Sequence, residues 1–67
     1  MSTEALERAV KKVGGQTALA ARIGTHQTNV WYWLNKAKRL PAERAIQIEI
    51  ATGVPRHELR PDIFEAA

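Results

Sequence analysis

Apolar residues recur at helical spacing along the chain, and the clearest repeat is interrupted by a tight corner. Ala20 and Ile23 lead to Gly24, and after a short polar turn the apolar spacing resumes at Val30. Two helices can cross closely at a wide angle only where the crossing residue is small, as alanine is. The turn between them needs a residue that tolerates a positive φ, as glycine does. The stretch 16–35 therefore predicts a helix-turn-helix.

The second helix of this pair has two chemically different faces. With about 100° of rotation per residue, one arc is apolar and comprises Val30, Trp33, Leu34 and Ala37. The opposite arc carries hydrogen-bonding groups, an aromatic ring and cations, but no acid: Thr28, Tyr32, Asn35 and Arg39, with Trp31 and Lys36 at its edges. Such a face suits the major groove of DNA, where amides and hydroxyls read base edges and cations meet phosphates. The alternative is an ordinary solvated helix face.

Helical spacing before and after the corner predicts three further helices. The first carries an apolar stripe and ends at the glycine pair 14–15, which allows the chain to reverse. The fourth begins at Pro41 and runs to Thr52. Its buried face is predicted to comprise Ala42, Ala45, Ile46 and Ile50. A final short helical turn extends from Pro55 to Leu59.

Four large apolar residues have two or more interpretations. Ile48 lies off the apolar stripe of the fourth helix, so it is either covered by the C-terminal tail or available to a partner chain. Ile63 and Phe64 either lie back on the core or form a patch suited to dimerisation. Trp31 packs at the edge of the core, touches DNA or joins a self-association patch. These residues are the candidate dimer or partner surface.

Length and charge limit the classes of protein that this chain can belong to. Its 67 residues make one small domain, 1–67, without cysteine and without an apolar run of membrane-spanning length, so we expect a cytoplasmic protein. The net charge is +3, and no acid occurs between Arg8 and Ala42. A basic segment that coincides with the corner predicts a positive face for a polyanionic partner, because binding releases counterions. Chance clustering of charges is the alternative.

Residues at the starts of the paired helices are candidate DNA contacts. Gln16 and Thr17 open the first of them, where free backbone amides and a side-chain amide can meet a phosphate. Gln27 opens the second, and a glutamine amide can pair bidentately with adenine. His26 precedes it and can contact a phosphate or a base, with a modest pH dependence. The alternative for each of these residues is an ordinary solvated surface position.

Catalytic chemistry is not indicated by the sequence. No nucleophile with a base, carboxylate pair or glycine-rich phosphate loop is present. His57 has no partner at metal-ligand spacing, and cysteine is absent. We therefore predict no enzymatic activity, metal or cofactor.

Four segments together resemble a known family: QTALAARIG, QTNVWYWL, LPAERAIQIEIATG and RHELRPDIF. They are similar to the Cro-like family of small phage and prophage repressors, in particular its YdaS-type branch of antitoxins. The resemblance implies an all-α fold, a five-helix lambda-repressor-like helix-turn-helix DNA-binding domain that binds a palindromic operator as a dimer. His26 and Trp31 depart from the family pattern, which has Ser or Thr at the first position and a small polar residue at the second.

The resemblance also implies roles for individual residues. Base reading is expected from Gln27, Thr28 and Tyr32. Contacts with the DNA backbone are expected from Gln16, Thr17 and Asn35, to which the residues themselves add His26, Lys36, Lys38 and Arg39.

Two functions from different classes follow. The first is a sequence-specific repressor with double-stranded DNA as its partner, dimeric at least on DNA. The second is an antitoxin-like module that binds a toxin or another protein, with DNA binding secondary. Loss of specificity on replacement of Gln27 favours the first, whereas sensitivity at Trp31, Ile48 or the Ile63 and Phe64 tail favours the second.

Overall fold

Five α-helices make up the computed structural model, which describes residues 3–65. They are α1 (Glu4–Val13), α2 (Gln16–Ile23), α3 (Gln27–Asn35), α4 (Ala42–Thr52) and α5 (Arg56–Leu59). The described residues contain no β-strand. The predicted all-α, five-helix architecture is therefore confirmed.

The corner between α2 and α3 forms as its small residues predict. Ala20 is only 2% exposed, which is consistent with close packing at this point of α2. Gly24 ends α2 in the left-handed conformation with φ of 73°, a conformation that a side chain would disfavour. Arg44 of α4 supports the same corner, because its Nη1 donates a hydrogen bond of 2.7 Å to the carbonyl of Ile23. The α2–α3 pair is thus held from both its own turn and a neighbouring helix.

One apolar core joins the five helices. The largest fully buried side chains come from α1, α2, α3, α4 and the segment before α5: Leu6, Leu19, Val30, Ile48 and Val54. Helix α4 packs against α1, α2 and α5, and α1 also packs against α2 and α5. Every helix therefore contributes to burying the others, as a chain of this size requires.

The buried face of α4 differs from the prediction. Ala45 and Ile48 are completely buried, whereas Ile50 is 79% exposed. At about 100° per residue, Ile48 lies roughly 160° from Ile50 around the helix, so only one of them can face the core. Isoleucine and alanine occur almost all round α4, and contact with α1 and α2 decides which arc is buried. Ile48 is thereby removed from the candidate partner surface.

The C-terminal tail is only partly exposed. Phe64 is half-buried against the core, with the guanidinium of Arg56 5.7 Å from the centroid of its ring. The tail is tied to the loop before α4 because Arg60 Nη1 donates to the carbonyl of Leu40 at 2.5 Å. Phe64 is therefore largely withdrawn from the candidate partner surface, whereas Ile63, 47% exposed, stays on it.

None of the helices within residues 3–65 has the length and apolarity needed to cross a bilayer.

Candidate nucleic-acid interface

One face of α3 is buried and the opposite face is exposed, as the sequence predicts. Val30 and Trp33 are buried, and Leu34 is half-buried against the core. The opposite face is open to solvent, with Tyr32 54% exposed and Trp31 44% exposed. The remaining exposed positions of this face are polar or basic: Thr28, Asn29, Asn35, Lys36, Lys38 and Arg39. This acid-free surface, α3 with the basic connection that follows it, is called the α3 face below.

A pair of amide side chains links the starts of α2 and α3. Gln27 Nε2 donates a hydrogen bond of 2.7 Å to Gln16 Oε1, and both side chains are partly buried. A glutamine amide has two N–H donors and an acceptor oxygen. Gln27 therefore keeps one N–H and its oxygen for a base, while Gln16 keeps both N–H groups for a phosphate. Two residues predicted separately from their positions form one unit.

The side chains of the turn before α3 leave its N-terminus without a side-chain capping hydrogen bond. His26 occupies the N-cap position with extended backbone, but its side chain makes no capping hydrogen bond. Thr25 Oγ1 instead accepts a hydrogen bond of 2.7 Å from Asn29 Nδ2. His26 is thus exposed at the start of α3, and its imidazole does not cap the helix. Sequence reasoning missed Asn29, although its position one turn after Thr25 could have indicated the bond.

The C-terminal half of the α3 face is also ordered by its own contacts. Asn35 Nδ2 donates to the carbonyl of Trp31 at 2.9 Å, and Lys36 Nζ lies 6.0 Å from the centroid of the Trp31 ring. Cations and aromatic faces attract one another at such distances. Trp31 therefore belongs to the α3 face and not to the edge of the core. Of the three interpretations left open by the sequence, the structure removes that one.

Lys38 has an unusual backbone conformation in the basic connection after α3. It is the one non-glycine residue of the described chain with a positive φ, 59°. Side-chain sterics make this left-handed conformation costly, by roughly 1–2 kcal/mol for most residues. The turn directs the chain from the end of α3 toward Leu40, whose side chain is buried. The connection is therefore an ordered turn, with Lys38 and Arg39 exposed on it.

Three of the predicted backbone contacts line a single groove. Gln16, Asn35 and Lys38 come together between α1, α2 and the end of α3, and Lys11 of α1 lies in the same groove. Sequence reasoning did not select Lys11 as a contact, although it lies in the acid-free segment. Glu7 lines the groove as well, so two ammonium groups and two amides outnumber one carboxylate there, and the groove suits contact with DNA phosphates. Thr17 and Thr28 are exposed beside them on α2 and α3.

Three arginines form ion pairs with the C-terminal acids. The pKa of the Glu49 carboxyl is lowered, chiefly by a side-chain hydrogen bond from Arg56 at 2.6 Å. The pKa of Glu58 is lowered by its hydrogen bond with Arg8, and the pKa of Asp62 is lowered by its hydrogen bonds with Arg60. Arg8 is therefore neutralised by Glu58 of α5, whereas the cations of the α3 face form no salt bridge among the described residues.

Between residues 3 and 65, no group of three His, Cys, Asp or Glu side chains is placed to hold a metal ion.

Comparison with known proteins relates the whole chain to one family. The family model described as "Bacterial toxin YdaS" matches residues 6–67. The chain is 44% identical over 59 residues to the "Putative transcriptional regulator YdaS" of Escherichia coli strain K12, which covers 85% of this chain and 60% of that protein. It is 36% identical over 62 residues to the Gene 30 protein of Enterobacteria phage phi80, covering 91% and 85% of the two chains. The chain thus spans about three fifths of the length of the Escherichia coli relative.

A solved structure has the same fold. The "Cro protein from putative prophage element Xfaso 1 in Xylella fastidiosa strain Ann-1" superposes with a TM-score of 0.87 and is 44% identical. The match covers 92% of this chain and 97% of that one. All five helices therefore lie within a fold already seen in a Cro protein.

Proposed function

Because the chain belongs to the YdaS family of Cro-like helix-turn-helix proteins, we propose that it is a sequence-specific repressor of the phage or prophage Cro type. It inserts α3, around residues 26–36, into the major groove of a palindromic operator and acts as a dimer. The observation that carries the proposal is the hydrogen-bonded pair of Gln16 and Gln27 at the start of the acid-free α3 face.

Base reading is assigned to Gln27, Thr28 and Tyr32. The free N–H and oxygen of Gln27 match the N7 acceptor and N6 donor of adenine in the major groove. Thr28 and Tyr32 are four residues apart, so they lie on the same side of α3, and both are exposed. Their hydroxyls and the apolar parts of their side chains suit a base edge or a thymine methyl group. The three residues thus offer different chemistry to successive base pairs.

Contacts with the DNA backbone set the position of α3 in the groove. The N-terminal turn of α2 presents Gln16 and Thr17 beside the free amides of the helix start, which favour an anion. His26 and Asn35 lie at the two ends of α3. The cations are Lys36, Lys38 and Arg39. Contacts of this kind carry little sequence information but supply most of the affinity and its dependence on salt.

Dimerisation follows from the small size of the reading surface. One short helix with three reading side chains addresses only a few base pairs, whereas two copies on half-sites one turn apart address a palindrome. The related regulators named above support a role in transcription. The proposed location is the cytoplasm, where the operator is accessible.

A second candidate function is binding to a protein partner, with DNA binding secondary. One observation favours it: Trp31 and Ile63 are both exposed. Under this alternative the chain is an antitoxin-like module whose partner is a toxin or another protein. Substitutions in Gln27 and Thr28 would then leave its activity unchanged.

Selection of bound duplexes from a random pool tests the proposal, followed by anisotropy titrations of the winning duplex and a scrambled one at several salt concentrations. We expect an inverted repeat bound about a thousandfold or more tighter than the scramble. Gln27→Ala should lose specificity for one base pair, whereas the matched control Glu65→Ala, exposed in the tail, should not. If no sequence is enriched and both duplexes bind equally weakly, the repressor proposal fails.

A further inference from the structure

The outer side of α4 carries an apolar stripe that nothing in the described chain covers. Ile50 is 79% exposed, more than any other large apolar residue of residues 3–65. Glu43 and Gln47 are exposed on the same side, and half-buried Ile46 lies beside them. These four residues are called the α4 stripe. Solvated polar residues are the usual occupants of such a side, whereas here Ile50 and Ile46 adjoin in one apolar surface.

A groove beside the α4 stripe extends the apolar surface to α2. Its lining includes Ile50, Ala51 and Gln47 from α4, together with Arg22 and Ile23 from the end of α2. Helix α4 packs on α1, α2 and α5 through its other sides. The proposed DNA contacts lie on α3, on the first turn of α2 and on the connection 36–39. The stripe and the α3 face therefore share no residue.

Two charges of opposite sign lie at the ends of the α4 stripe, Glu43 within it and Arg22 beside it, and neither has a partner among the described residues. Arg22 lies beside Ile50, and Glu43 precedes Ile50 by seven residues, which places it on the same side of α4 about 10 Å away. Neither residue takes part in the ion pairs or side-chain hydrogen bonds formed among residues 3–65. One end of the stripe is therefore positive and the other is negative.

Such a surface is complementary to itself. If two copies of α4 pack antiparallel about a two-fold axis near Gln47, the positive end of each stripe meets the negative end of the other. Arg22 then faces Glu43 of the other copy twice, and the isoleucines at positions 46 and 50 of both copies are covered. An isologous two-fold interface requires this kind of self-complementarity. A partner of one sign would leave one of the two charges unmatched.

We infer that the α4 stripe is the docking surface for a second copy of this chain, with α4 antiparallel to its counterpart and Arg22 paired with Glu43 across the axis. The inference deepens the proposed function, of which the dimer is a part, by naming the surface that forms it. It concerns the protein without DNA, since the stripe contains none of the proposed DNA contacts.

Sedimentation equilibrium of the protein without DNA tests this surface. The wild-type mass should rise with concentration from 7.5 kDa toward twice that value. Ile50→Lys should weaken the dimer at least about tenfold, as expected for a side chain at the centre of an interface. Ile63→Lys tests the rival surface in the tail, because Ile63 is also exposed, and a dimer that this variant leaves unchanged assigns the interface to α4. Circular dichroism and thermal unfolding verify that both variants remain folded.

Charge reversal tests the pairing itself. Arg22→Glu and Glu43→Lys should each weaken the dimer, whereas the double variant R22E/E43K should recover it, because the two signs are exchanged together. A wild-type protein that stays monomeric at its highest soluble concentration overturns the inference. So does equal weakening by Ile50→Lys and Ile63→Lys, or a double variant that recovers nothing.

The failure of this inference can be told apart from the failure of the proposed function. Should a duplex be selected and bound specifically while the free protein is monomeric, the repressor proposal stands and the α4 stripe is not the dimer surface. If Ile50→Lys disrupts a dimer but no duplex is selected, the α4 stripe is the dimer surface and the repressor proposal fails. Should the stripe bind another chain, such as the additional length found in the longer relative, the wild type remains monomeric and the inference is overturned.

Discussion

The amide pair at the start of α3 makes a prediction that separates a preorganised reading unit from two independent contacts. Gln27→Ala removes the two hydrogen bonds to adenine, which should cost about 1–3 kcal/mol of discrimination, or roughly 5- to 150-fold in affinity for the operator. Gln16→Ala leaves that amide in place but removes the 2.7 Å bond that orients it. The loss of one such bond is worth about 0.5–1.5 kcal/mol, roughly 2- to 12-fold.

Both effects cannot occur in full in the double variant, because Gln16 no longer has an amide to orient once Gln27 is gone. We therefore expect a double-mutant cycle on the selected duplex to give a coupling free energy of about 0.5–1.5 kcal/mol. Anisotropy titrations of the wild type, both single variants and the double variant at one salt concentration measure it. Losses that add within about 0.3–0.5 kcal/mol would refute the reasoning. In that case Gln16 contacts the phosphate independently of Gln27.

Three further predictions concern stability and salt. Ile48→Ala should lower the free energy of unfolding by about 2–5 kcal/mol, whereas Ile50→Ala should change it by less than about 0.5 kcal/mol. Thermal unfolding measures both variants, and a larger destabilisation by Ile50→Ala than by Ile48→Ala would contradict the observed orientation of α4. Lys38→Gly removes a cation where glycine suits the backbone, so the slope of log affinity against log salt should fall by about 0.9 without loss of stability; an unchanged slope means that Lys38 contacts no phosphate. Arg56 lowers the folded-state pKa of Glu49 below its unfolded value, so the pair stabilises the fold above the unfolded pKa, and this contribution is lost as the pH falls through the folded pKa. Glu49→Gln should therefore reduce the loss of stability between neutral and acid pH, as measured by urea unfolding. An equal loss in the wild type and the variant would show that the pair contributes nothing.

The corner and α3 could be predicted from the sequence because local patterns determine them. A small residue at Ala20 and a glycine at Gly24 favour one geometry, and the apolar and polar residues of α3 separate cleanly into two arcs. The resemblance to Cro-like repressors, which depends on these same segments, is confirmed by the family match and by the Cro structure. Local chemistry and tertiary contacts agree in this part of the chain.

Helix α4 could not be predicted in the same way. Its isoleucines and alanines surround most of the helix, so several arcs were compatible with burial, and contact with α1 and α2 buried Ile48 and left Ile50 in solvent. The bond between Gln16 and Gln27 was also out of reach, because it depends on the distance between two helix starts 11 residues apart. Both outcomes depend on tertiary packing, which a periodic pattern does not contain.

The charges show how the same packing shapes the candidate interface. Ten cations and seven acids give a net charge of only +3, but the fold does not distribute them evenly. Three arginines form salt bridges with acids of α4, α5 and the tail: Arg8, Arg56 and Arg60. Lys11, Lys36, Lys38 and Arg39 form no salt bridge among the described residues. Two of them share a groove with Gln16 and Asn35, which Glu7 also lines. Because exposed charges interact mainly within about 10 Å at moderate salt, DNA at the α3 face interacts more strongly with these four cations than with the arginines that acids already pair. The salt dependence of binding should therefore follow the cations of that face, and it should be stronger than the net charge of the chain suggests.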